Sequence, residues 1–182
     1  MSLVRGRGTG WIRLATVGEA ERMFQVEVIE PALAAEPGLA RVVAVCDAFF
    51  DHLLRPTFPG GCFFANGAAL EMGTRTGPVR EQVAAFQFRL TALIHQFVAT
   101  ALDQHELVAD EDADVLTFEL NGIILAANTN FVLREDPGAL DLARTVVRRR
   151  LGITTAARPP ATGRDHPVTS RARRTPENIQ RE

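Results

Sequence analysis

An all-α fold of about six helices is what this sequence predicts, and three observations predict it. Apolar residues recur at spacings of three and four through most of the chain, the signature of helices with one buried face. No segment alternates with a period of two for long enough to make a convincing strand. Proline and glycine fall between the periodic stretches, where helices stop and start.

The elements follow in order. Residues 1–10, MSLVRGRGTG, hold three glycines and no periodicity, and read as a disordered lead-in. A first helix begins near Trp11 or Ile12. It carries Leu14, Val17, Phe24 and Val28 on one side and ends at about Ala35, with Pro31 placed to kink it. Leu39, Val42, Val43, Cys46, Phe49, Phe50 and Leu53 give a second helix, ending before Pro56. A Pro/Gly turn over 56–61 leads to a short third helix, about Gly61 to Gly73, whose small residues let neighbours approach closely. Pro78 suits the first turn of the fourth helix, because its missing N–H has no helical partner there anyway. That helix runs to about Gln104.

Asp110, Glu111, Asp112 and Asp114 open the fifth helix and complement the positive end of its dipole, with Asp110 as the expected cap. Val115, Phe118, Gly122, Leu125 and Val132 line one face of it. Leu116, Leu120, Ile123, Ala127 and Phe131 line another. A helix so apolar all round is buried on both sides. Asp136-Pro137 starts the last helix, which stops at Gly152. The arginines 148–150 in its last turn read as dipole-complementing cations, not as a nucleic-acid patch. Residues 153–182, rich in Pro and Arg, read as a disordered tail, which leaves 11–152 as the folded domain.

Composition narrows the function. Of 182 residues, 46% are apolar, enough for a real core, yet no run of eighteen apolar residues marks a membrane span. Cys46 and Cys62 read as buried free thiols of a cytoplasmic protein. All 20 basic residues are arginine. Residues 12–152 carry 12 of them against 19 acids, a balance of −7 that would repel phosphate backbones. The histidines His52, His95, His105 and His166 form no metal-ligand spacing, and no nucleophile motif is present, so no catalytic residue, metal or cofactor is assigned. Asn66, Asn121, Asn128 and Asn130 interrupt otherwise apolar helices; each needs an interhelical partner or faces a cavity. A pocket walled by phenylalanine with a few amides would suit a small, mostly apolar molecule.

The block 58–83 carries a resemblance. Phe58-Pro59-Gly60-Gly61-Cys62, then Glu71, then Arg75 before Gly77-Pro78-Val79-Arg80, resembles the ligand-domain core of TetR/AcrR-type transcriptional regulators. Leu14-Ala15-Thr16-Val17 is similar to the start of that family's linking helix, and Glu27-Val28-Ile29-Glu30-Pro31-Ala32-Leu33 to its continuation. Phe118-Glu119-Leu120-Asn121-Gly122 and Ala126-Ala127-Asn128-Thr129 are similar to the penultimate helix. The resemblance implies a one-component repressor and a homodimer whose last two helices form a four-helix interface. It implies a ligand pocket among residues 12–125, with Phe24, Phe49, Cys62, Asn66, Phe86, Asn121 and Leu125 as candidate contacts. The interface falls within 114–151, with Leu116, Ile123, Phe131 and Val147 as candidates. The family's helix-turn-helix headpiece needs about 45 residues before the linking helix. About ten stand there in this sequence, so no operator-specific DNA binding is expected of it as written. A second reading is an interaction module that pairs with a full-length regulator and silences it.

Overall fold

The computed structural model describes residues 7–55, 60–68 and 76–153, with side chains for residues 13–55, 60–65 and 76–153. The fold is all-α. Among the described residues there are six α-helices, two π turns and no strand.

Helix α1, Arg7–Phe24, begins four residues inside the expected lead-in. It continues through a π turn, Gln25–Ile29, into α2, Glu30–Ala34. The N–H of Glu30 donates to the carbonyl of Gln25, one residue further back than in an α-helix. Pro31, which has no N–H to donate, comes one residue later, after Glu30. The expected kink at Pro31 is therefore a widened turn just before it.

Helix α3, Leu39–Leu54, is the centre of the molecule, touching α2, the first π turn and all three later helices. Val42, Val45, Cys46, Phe49, Phe50 and Leu53 are buried along it. It starts after Gly38, whose φ of 96° favours glycine. A Cβ on Gly38 would meet the Glu106 carboxylate at 2.2 Å. That carboxylate accepts from the Leu39 N–H at 2.6 Å, closing the helix start from a distant loop.

A second π turn, Phe63–Ala68, occupies part of the expected third helix; residues 69–75 lie outside the described residues. Helix α4, Pro78–Asp103, does begin at its proline. Helix α5, Ala113–Arg134, is capped by Asp112, not by Asp110. Asp112 sits immediately before the helix in extended backbone, and its carboxylate accepts from the N–H groups of Asp114 and Val115. By length and composition α5 could cross a membrane, but here its inner face packs into the domain against α3, α4 and α6.

Helix α6, Gly138–Arg150, lies on α5 and α3. Its arginines act as tertiary pins more than as dipole partners. Arg144 and Arg148 both reach the carboxylate of Asp47 on α3 at 2.7 Å. Arg150 pairs with Glu111 at 2.6 Å, and those hydrogen bonds hold the Glu111 carboxyl below its ordinary range. Of the expected tail only Ile153 is described.

Candidate ligand pocket

The pocket is built where the end of α1, α3, α4, α5 and the second π turn converge. Phe24 closes α1 just before the first π turn, and Phe49 faces it from α3, ring centroids 6.1 Å apart. Phe64, from the second π turn, meets Phe24 edge-on at 6.2 Å and stacks on Phe86 at 3.8 Å. Such ring clusters add to the apolar area they bury and hold one another in place.

In front of this floor lies a cavity of about 650 Å³. Phe24, Phe49, Cys62 and Phe64 line its depth; Thr117, Asn121 and Ile124 line it from α5. Its exposed lining residues mark the open side. Phe88 on α4 is 76% exposed and Phe118 on α5 is 79% exposed, and they flank the opening. At the same rim His95 Nε2 stands 3.3 Å from a carboxylate oxygen of Asp114, whose side chain is in solvent.

Five of the seven expected ligand contacts meet in this cavity: Phe24, Phe49, Cys62, Asn121 and Leu125. Phe86 does not. It stands behind Phe64 and lines a separate groove between α1 and α4. The side chain of Asn66 lies outside the described residues. Phe64, Thr117 and His95 were not expected. Thr117 was open to inference, since it sits one helical turn before Asn121 and so shares its face.

The polar groups have defined roles. Asn128, fully buried, accepts from the Cys62 N–H at 3.0 Å and ties the second π turn to α5. Asn121 donates to the carbonyl of Thr117 at 3.0 Å. Gln87 donates to the carbonyl of Phe64 at 3.0 Å. Burial pushes the Cys62 thiol up from its ordinary pKa, so it is a neutral wall, not a nucleophile. Behind Phe24, His52 is 5% exposed, its Nδ1 2.6 Å from Glu27 in the first π turn and its ring edge-on to Phe24.

The expected interface residues divide. Leu116 and Val147 are 0% and 1% exposed inside the single chain and have no surface to offer. Ile123 and Phe131 are half-buried. The uncovered face of α5 is the other stripe: Val115, Phe118, Gly122 and Leu125, extended by Leu133. Beside it on α6, Leu142 and Val146 are exposed, and a groove of about 470 Å³ runs between the two helices.

Comparison with known proteins agrees with this architecture. The family model described as "Tetracyclin repressor-like, C-terminal domain" matches residues 38–147. Among solved structures, the chain is similar in fold to a TetR transcriptional regulator from Chloroflexus aurantiacus J-10-FL. The TM-score is 0.68 at 22% identity, covering 81% of this chain and 74% of that one. No curated protein sequence matches the chain. The family match spans more than half of the residues, and the chain belongs to the tetracyclin repressor-like C-terminal domain family.

Proposed function

We propose that this domain senses a small, mostly apolar molecule and pairs with a second copy of itself, as the regulatory part of a TetR-type repressor in the cytoplasm. One observation carries the reading. Phe118 and Leu125 on α5 belong both to the cavity wall and to the uncovered apolar face. A molecule in the cavity and a partner on the face would therefore press on the same helix. Exposed apolar surface of this extent on adjoining helices is what a partner covers.

The cavity is assigned to binding, not to catalysis. Among the described residues its one histidine–carboxylate contact, His95 with Asp114, is at the rim, and its thiol is held protonated by burial. The acidic balance of residues 12–152 favours leaving operator contact to other parts of a regulator.

A thermal-shift screen of small uncharged compounds tests the sensing role. Hits should raise the melting temperature of the wild-type chain by several degrees. Asn121→Phe, which fills the cavity from α5, should abolish their effect. Hits that stabilise the variant equally, or a screen without hits, would contradict the proposal.

A further inference from the structure

Thr117 is a polar group of the cavity lining that the fold does not account for. It lines the cavity, is 3% exposed, and its hydroxyl has no hydrogen-bond partner among the described residues. A buried hydroxyl left unpaired is costly and rare in a folded protein. Its neighbours are otherwise served: the Asn121 amide is bonded to the Thr117 carbonyl, and Gln87 to that of Phe64. Phe24, Phe49, Phe64 and the protonated thiol of Cys62 line the same cavity.

The lining also excludes charge. No arginine lines the cavity among the described residues, and the chain has no lysine. A carboxylate or phosphate in the depth would lose its water and gain no cation. Among the described residues Asp114 is the one carboxylate of the lining, and its side chain is 91% exposed and beside His95. A cation in the depth would find no counter-charge there either.

We infer that the cavity takes an uncharged, largely apolar ligand with a single hydroxyl or carbonyl group, which hydrogen-bonds to the Thr117 hydroxyl once that side chain turns about χ1 toward the cavity, because in the unliganded fold the oxygen is closed to a water-sized atom. This rests on the ligand-pocket reading above, and the two can fail separately.

Four matched biphenyls provide the test, titrated calorimetrically into the wild-type chain and into Thr117→Val. They are 4-phenylphenol, 4-methylbiphenyl, biphenyl-4-carboxylate and the 4-phenylbenzylammonium ion. In the wild type, 4-phenylphenol should bind about tenfold tighter than 4-methylbiphenyl, the gain from one hydrogen bond to an otherwise unpaired buried group. Both charged analogues should bind at least about tenfold more weakly than 4-phenylphenol, given the cost of burying an unpaired charge. Thr117→Val, which keeps the shape, should erase the difference between phenol and methyl compound while leaving 4-methylbiphenyl unchanged. The unliganded variant should also melt at a higher temperature than the wild type.

A charged analogue that binds as tightly as the phenol would overturn the uncharged-ligand assignment and leave the pocket standing. A phenol preference that survives Thr117→Val would overturn the role of Thr117. If none of the four binds, the pocket reading falls, and this inference with it.

Discussion

An unpaired hydroxyl in a phenylalanine-lined cavity reduces stability, by about 1–3 kcal/mol for a typical buried group. At Thr117 the proposed ligand gives that cost a reason, since a bound molecule would supply the missing partner. The thiols carry a second prediction at this scale. Burial first, and Asp47 second, push the Cys46 thiol up from 9.0 to about 12, so the folded chain disfavours its thiolate. The stability tied to this protonated form is complete below pH 9 and is lost as the pH rises toward 12. At pH 8, labelling with a disulfide reagent should be slow in the native chain and fast in denaturant; equal rates would contradict the burial of both thiols. The large aromatic residues of the site were legible in the sequence, because Phe24 and Phe49 fall on the inner sides of regular helices. Phe86 was not, because helical periodicity places a residue on the core side without telling wall from backing. That distinction arises only when Phe64 stacks in front of it.

Helix α5 shows what periodicity leaves undecided. Its two stripes are about equally apolar, so the pattern alone could not say which one faces the core. Packing of α3, α4 and α6 decides it: Leu116, Leu120 and Ala127 go inward, while Phe118, Gly122 and Leu125 stay outside. Gly122 is telling. A Cβ there would meet nothing within 4 Å, and a mid-helix glycine costs about 1 kcal/mol relative to alanine. The proposed pairing would give this glycine a reason, since so small a residue at the middle of the bare stripe lets a second helix approach closely. Helix α6 depends on a different device. Asp47 receives both Arg144 and Arg148, and all three side chains are only about a quarter exposed. Replacing it with alanine leaves two arginines beside α3 without their shared acid. Urea unfolding should show a loss of about 1–2 kcal/mol, discounted for partial solvation. A change under about 0.3 kcal/mol would mean that the Asp47 pairs do not help to hold α6 in place.

At the scale of the molecule, the cavity and the bare face are joined by one helix. On the other side of the cavity, Phe24 touches His52, which holds Glu27 in the π turn of the first helix. The pocket thus lies between the first helix and the pair that carries the uncovered face. Element types and most boundaries were legible in the sequence, because glycine, proline and acidic starts punctuate strong helical patterns. The π turns were not, since they arise from the fit of α1 and α2 around α3 and of the Phe63–Ala68 segment against α4 and α5. The most direct test of the account is the mass of the chain in solution, measured by sedimentation with and without Leu142→Asp, a charge placed on the uncovered face. The wild type should run as a dimer of about 40 kDa, twice the 19.9 kDa chain, and the variant as a folded monomer. A monomeric wild type, or a variant that stays dimeric, would contradict the assignment of the α5–α6 face to self-association.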